Sequence, residues 1–248
     1  MMTFNLRMDT KDDGENAWPN RKEQVLQTIQ SQNPDILSIQ EGLYHMVAYL
    51  NTNLSAYTMI GMGRDGGTAG EYNAIFYKKE ILLLKQQGQF WLSATPNVPG
   101  SKSWGSGSNR ICTWGEFMYS DCSLDAFYIF NTHLDNASQL ARLKGSEVIM
   151  SQIKPLLQKG ASVLLTGDLN CGNNNEVINC IEEWGLKNQY VKGRTFHDFL
   201  GGETGEQIDY IFLFGEYELK KITVDRRSFN GKYPSDHYPV VANVSFHK

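Results

Sequence analysis

The sequence predicts β-sheets of mixed strand direction packed as a sandwich and covered by helices. Many short β-type apolar runs alternate with a few helical stretches along 248 residues, the pattern of a layered α/β structure. The polar motifs are spread from one end of the chain to the other, so they must converge in one fold. This makes residues 1–248 a single expected domain. Apolar residues at 41% and aromatic residues at 12% supply a substantial core.

The elements follow in order. MTFNLRM opens as a strand and leads into a loop rich in Asp, Asn and Gly. Val25, Leu26 and Ile29 share one face of a helix predicted from about Arg21 to Gln32, which Pro34 ends. ILSIQ is the next strand, and a second helix covers roughly Tyr44 to Leu54. Strands are predicted near Tyr57–Gly61, Asn73–Lys78 and Ile81–Leu92. The segment from Ser93 to Asn109 is rich in Pro, Gly and Ser and reads as a long functional loop. Strands at Arg110–Tyr119 and Phe127–His133 precede a helix from about Ser138 to Leu157 carrying Leu140, Leu143, Ile149 and Ile153. VLLTG, DYIFLF and ELKKITV are strands, with a short helix near Glu176–Trp184, and PVVANVSF is the last strand. No internal repeat or low-complexity linker interrupts the series.

Function is written at the ends of these strands. Polar groups sit in TFNLR (Asn5), LSIQEG (Glu41), FNTHLD (His133), LLTGDLN (Asp168, Asn170), QIDYIF (Asp209) and SDHYPV (Asp236, His237). A buried carboxylate, amide or imidazole is costly unless it is paired or bound to metal. One such case is a satisfied core group; a whole series points to a site. Glu41 ends a buried strand, where a carboxylate suits a hard cation such as Mg²⁺. Asn5 lies comparably on the first strand, so its amide oxygen can join that shell directly or through water. A buried hydrogen-bonded pair is the alternative. Asp168 and Asn170 alternate and point to one side if the backbone is extended. That carboxylate can orient or deprotonate water, and the amide can hold the water or donate to a phosphoryl oxygen. Asp236 and His237 stand together at a loop–strand junction, as a hydrolytic site requires.

Composition narrows the partners. Net charge is −4 and the isoelectric point about 5.8, so a strongly basic nucleic-acid footprint is absent. A nuclease remains compatible, because a metal and a few local arginines can hold a phosphodiester. No stretch is long and apolar enough to span a membrane, and no basic-then-apolar leader opens the chain. Both a cytoplasmic protein and a mature exported one that has lost its leader fit. Cys112, Cys122, Cys171 and Cys180 form no CxxC and have no zinc spacing. They read as free thiols, with a disulfide left open. His45, His197 and His247 lack a motif and read as structural or solvent-facing. Trp18, Trp104 and Trp114 flank candidate loops, as core anchors or as platforms for a base or sugar. The glycines of GRDGGTAGEY are turn chemistry, and HExxH is absent.

The order TxN, QE, NTHL, GDLN, IDYIF and SDHYPV resembles the endonuclease/exonuclease/phosphatase superfamily over nearly the whole chain. DDGENAWPNRKE, GRDGG, FWLS and RICTWGEF look most like its uncharacterised bacterial branch. The resemblance implies a four-layered α/β/β/α sandwich of two mixed, mostly antiparallel sheets flanked by helices, with the site on loops at one end. It implies a Mg²⁺-dependent hydrolase, Mn²⁺ substituting, in which water attacks a phosphate ester in line. Nucleases, including deadenylase-like RNA exonucleases, are the largest substrate class; lipid and sugar phosphates come next. A monomer is expected. By resemblance, Glu41 and Asn5 hold the metal, with Asp236 in its outer shell. Asp209 hydrogen-bonds His237, and either His237 or Asp168 takes the water proton. His133 touches the scissile phosphate or protonates the leaving oxygen, and Glu71 resembles a glutamate that orients it. Arg110 resembles a phosphate-contacting arginine. As residues alone, Glu71 and Arg110 fit surface positions as well. All must then line one pocket, with Glu41 facing the Asp209–His237 pair and the loop before Arg110 forming a mobile wall.

Overall fold

A computed structural model describes residues 1–121 and 125–246. Cys122 and His247 lie outside the described residues. The strands, in chain order, are β1 (Met2–Asn5), β2 (Ile36–Gln40), β3 (Tyr57–Ile60), β4 (Ile75–Lys78), β5 (Leu82–Trp91) and β6 (Ile111–Tyr119). They continue as β7 (Phe127–His133), β8 (Ser162–Asp168), β9 (Lys187–Asn188), β10 (Asp209–Phe214), β11 (Tyr217–Val224) and β12 (Val240–Phe246). The helices are α1 (Trp18–Gln32), α2 (Tyr44–Asn53), α3 (Gln139–Gln158) and α4 (Glu176–Glu183).

Two six-stranded sheets form, ordered β11-β12-β1-β2-β4-β3 and β5-β6-β7-β8-β10-β9. Each has one parallel pair at its centre, β1–β2 in the first and β7–β8 in the second, and antiparallel neighbours elsewhere. The period-2 alternation of each strand divides its side chains between two cores. Ile129, Leu164, Ile211 and Leu213 face the other sheet and meet Ile36, Ile75, Val240 and Ala242. Their neighbours Phe130, Val163, Leu165, Tyr210 and Phe212 face outward against α3 and α4, through Ile149, Ile153, Val177 and Ile181. On the other side, Met2, Phe4, Leu37 and Ile39 pack against Val25 and Ile29 of α1 and Met46 and Leu50 of α2. The result is four layers, α/β/β/α, as the motif order implied.

Strand direction gathers the polar tips. Parallel strands end at the same edge, so β1 and β2 deliver Asn5 and Glu41 together, with Asn5 paired to Gln40. β7 and β8 do the same for His133 and Asp168, which are register partners. β10 is antiparallel to β8, so it enters at that edge and places Asp209 opposite Asp168. β12 is antiparallel to β1, so the segment before it, with Asp236 and His237, arrives there too.

Between the sheets the inward positions turn polar as they near this edge. Buried Asn131, next inward after Ile129, links the sheets. Its Nδ2 donates to the Ile39 carbonyl at 2.8 Å and the Ala74 carbonyl at 3.0 Å. Its Oδ1 accepts from Gln40 Nε2 at 2.7 Å, which also donates to Thr3 Oγ1 at 3.1 Å.

Local differences from the sequence reading have simple causes. The helix expected from Arg21 begins at Trp18, with Pro19 in its first turn, where a fixed φ and a missing N–H cost nothing. The Asp- and Gly-rich loop before it contains a 3-10 helix, Lys11–Asn16. Leu140, assigned to a helical stripe, is 53% exposed. α3 instead buries small residues, Ala141, Gly145 and Ser146, before Ile149 and Ile153. A Cβ on Gly145 would already stand 3.4 Å from Leu92. The two-residue β9 was not visible as a pattern. Among the described residues, no helix is long and apolar enough to cross a membrane.

Asn131→Ala removes the three inter-sheet hydrogen bonds and leaves a void. It is expected to cost about 2–4 kcal/mol, measured by urea denaturation. An unchanged midpoint would show that apolar packing alone holds the sheets together.

Candidate active site

Glu41 is the first residue after β2 and has φ 61, a left-handed backbone that a non-glycine residue adopts at a cost. The turn aims its carboxylate at the cleft. Oε1 accepts from Asn5 Nδ2 and Oε2 from the Met8 N–H, both at 2.9 Å. The same Asn5 Nδ2 donates to Asp168 Oδ2 at 2.9 Å. One amide thus holds a carboxylate from each sheet. The Asn5 oxygen, expected to join the metal shell directly or through water, accepts from the Arg7 N–H at 2.9 Å. Asn5 spaces the carboxylates.

Asn170 is not extended from Asp168; it has φ 51. Both nevertheless line the cleft. The turn lets the Asn170 N–H donate to Asp168 Oδ1 at 2.8 Å. Asn170 Nδ2 donates to the Leu134 carbonyl at 3.0 Å and meets His133 Nε2 at 2.9 Å. Because the Leu134 carbonyl can only accept, the amide orientation is fixed and His133 Nε2 is the acceptor. Its Nδ1 is buried and has no hydrogen-bond partner among the described residues. Burial, then the nearby charges of Arg110 and His237, hold the His133 pKa well below the ordinary histidine value, so the ring is neutral.

His237 lies opposite. Its Nδ1 is 2.9 Å from Asp209 Oδ2 and its Nε2 3.7 Å from Asp168 Oδ2. Burial lowers its pKa, but Asp209 and Asp168 outweigh that and hold it well above the usual value. Burial and the Asp209 charge push Asp168 up, and burial pushes Asp236 up. Ser235 Oγ donates to the Asn5 carbonyl at 2.7 Å, fastening the SDH segment to β1. Asp236 Oδ2 stands 3.8 Å from Arg7 Nε.

Glu71 and Arg110, which as residues alone also fitted surface positions, are buried at the cleft wall. Arg110 donates to Asn136 Oδ1 at 3.1 Å, and its Nε is 3.6 Å from Asp135 Oδ2. Glu71 does not orient His133. It pairs with Arg64 at 2.8 Å, because the Gly-rich turn beginning at Gly63 brings that guanidinium over it. The tryptophans are structural where rings meet: Trp18 packs edge-on to Tyr49 and Trp114 stacks on Phe130. His197 is a buried packing residue, stacked 3.8 Å from the Tyr238 ring, and exposed His45 pairs with Asp9 at 2.9 Å. Cys112, Cys171 and Cys180 are free thiols.

Sequence reasoning missed two buried charges that fix the surrounding loops. Arg21 donates to the carbonyls of Leu6, Arg7, Asn16 and Pro234. Asp135 accepts from Ser106 Oγ and the N–H groups of Gly107, Ser108, Ala137 and Ser138. These donors overcome its burial and hold its pKa below the carboxylate range. The long loop is therefore tied down at residues 106–108 rather than free to swing. The only sequence signal was an Asp two residues beyond NTH.

The cleft has a volume of about 500 Å³ and is lined by Glu41, Glu71, Arg110, His133, Asp168, Asn170, Asp236 and His237, with Phe196 and Ile208 on its rim. Ligand atoms of Glu41, His133 and Asp168 lie within 4.8 Å of one another. His133 Nε2 and Asp168 Oδ2, both acceptors, face each other at 3.4 Å. A divalent cation fits this acceptor-rich set.

The chain matches the model of the Endonuclease/Exonuclease/phosphatase family over residues 2–237. A Bacteroides vulgatus protein of that family superposes with a TM-score of 0.93 at 31% identity, over 99% of this chain and 98% of the other. A Bacteroides thetaiotaomicron mannosyl-6-phosphatase gives 0.91 at 30% identity, over 99% and 98%. The human nocturnin catalytic domain, solved with a sulfate anion, shares the fold, with a TM-score of 0.78 at 19% identity over 99% and 92%.

Asn5→Asp places a third carboxylate between Glu41 and Asp168. In chelator the variant is expected to lose about 3–5 kcal/mol, and Mg²⁺ should restore most of it. Equal melting temperatures with and without Mg²⁺ would remove the cation from this set.

Proposed function

We propose, from the premise that the chain belongs to the endonuclease/exonuclease/phosphatase family and hydrolyses phosphate esters, that its substrate is a small phosphorylated metabolite of the sugar-phosphate class. The observation that carries the chemistry is the meeting of Glu41, His133, Asp168 and His237 in one cleft, with buried Asp209 behind His237. Three features support the substrate class. The cleft is compact, the chain carries a net charge of −4, and a relative 30% identical over nearly its whole length is a mannosyl-6-phosphatase.

Mg²⁺, with Mn²⁺ as substitute, is the proposed cation, held by Glu41 and Asp168; when bound it neutralises charge developing on the phosphoryl group. The remaining work falls to side chains. Asp168, fixed by Asn5 and the Asn170 N–H, orients water for in-line attack and accepts its proton. His237, held as an imidazolium by Asp209, donates to a phosphoryl oxygen. His133, kept neutral, is not the proton donor, and the leaving oxygen takes its proton from solvent water. Arg110 and Asn170 bind the phosphate, and Asp236 stands behind the Glu41 side of the cleft.

A metal-dependent activity panel tests the substrate. Phosphate release from mannose 6-phosphate and other hexose 6-phosphates is expected, and EDTA should abolish it. Cleavage of single-stranded RNA or DNA with no release from sugar phosphates would overturn the substrate class. Full activity in chelated enzyme would overturn the metal.

The proton roles make a second prediction. Asp209 raises the His237 pKa, so Asp209→Asn lowers it. If the imidazolium is the working form, activity is lost at lower pH as pH rises. The alkaline limb of kcat should then move down by about 1–3 pH units. A shift confined to the acid limb would make neutral His237 the base instead.

A further inference from the structure

We infer that Asp135 is a positioning residue for substrate phosphate, acting through Arg110. It does not line the cleft, whereas Ser108, Arg110, His133 and Asn136 around it all do. The residue is 2% exposed, and both carboxylate oxygens accept hydrogen bonds. Oδ2 accepts from Ser106 Oγ at 2.8 Å, the Gly107 N–H at 3.0 Å and the Ser108 N–H at 3.2 Å. Oδ1 accepts from the Ala137 N–H at 3.1 Å and the Ser138 N–H at 2.8 Å. Oδ2 also lies 3.6 Å from Arg110 Nε.

This one carboxylate joins three segments. It closes the end of the long loop over the cleft, fixes the turn into α3, and holds one side of the Arg110 guanidinium. Asn136, next in the chain, accepts from its Nη2 through Oδ1. A guanidinium restrained at two points keeps its fork in one plane, and less entropy is lost when an anion binds. The negative charge that restrains it is consumed by N–H and O–H donors, so it does not repel an incoming phosphate as a bare carboxylate would. The chemical groups, Asp168 at the end of β8 and His237 in the segment before β12, have no contact with Asp135 in this network. The position therefore governs binding more than turnover.

Asp135→Asn tests this. An amide offers one acceptor oxygen where the carboxylate has two, and it carries no charge, so donors at 106–108 or 137–138 lose their partner. KM for a phosphoester substrate is expected to rise about tenfold, with kcat within about threefold and the pH profile of kcat unchanged. The kinetic readout rests on the phosphoester reading of the cleft. Calorimetric binding of inorganic phosphate by the Mg²⁺-loaded protein does not require turnover, and the same tenfold weakening is expected there. In an Arg110→Ala background, adding Asp135→Asn should change phosphate affinity less than about twofold, because the residue through which it acts is gone. Wild-type phosphate affinity in Asp135→Asn, full additivity with Arg110→Ala, or a loss confined to kcat with a shifted pH profile would each overturn the inference. If Asp135→Asn fails to fold, Asn136→Ala and Ser106→Ala, which release the same guanidinium and the same loop one bond at a time, should each weaken phosphate binding about threefold. Unchanged affinity in both would overturn it as well.

Discussion

The sheet sandwich depends on a polar crossing near one end of its apolar centre. Asn131 spans from β7 to the backbones of β2 and of Ala74 just before β4, and Gln40 and Thr3 extend the chain of hydrogen bonds into β1. Apolar packing between sheets is tolerant of sliding, whereas a buried amide with its donors and acceptors paired is not. The crossing fixes the register of one sheet against the other just below the cleft. Only with that register set does Asn5 from one sheet lie between Glu41 and Asp168, two carboxylates that would otherwise repel.

Around this frame the site is built by contrast. Two imidazoles share one cleft and are driven apart in charge: His133 by burial and neighbouring cations, His237 by burial overcome by two aspartates. The backbone contributes as well. Arg7, Glu41 and Asn170 all have positive φ without being glycine. Each left-handed residue turns a group inward at a strand exit, and the hydrogen bonds around it hold the strained conformation.

The candidate site was legible because its residues interrupt apolar runs. Asn5, Glu41, His133, Asp168, Asp209 and His237 are each anomalous in their own strand, and a buried anomaly calls for a partner. Strand period and helix caps also set most element boundaries. The supporting charges were not legible. Arg21 and Asp135 serve backbone groups from distant segments, and nothing in the residues beside them marks that. Glu71 misled for a related reason. Its partner, Arg64, is delivered by a turn whose path no local pattern fixes. Leu140 was misplaced because α3 uses small residues, not a leucine stripe, to approach the sheet.

The first strand lies in the middle of its sheet, with the second strand on one side and the last on the other. During synthesis β1 emerges early, yet one of its edges has no partner until the chain has grown to β12. For most of translation this protein carries an open, apolar strand edge, the kind that recruits neighbouring chains. The same arrangement defers the SDH segment, and with it the closing of the cleft, until the twelfth strand is made. A chain lacking β12 and the segment before it therefore has both an unpaired β1 edge and no Asp236 or His237 in the cleft.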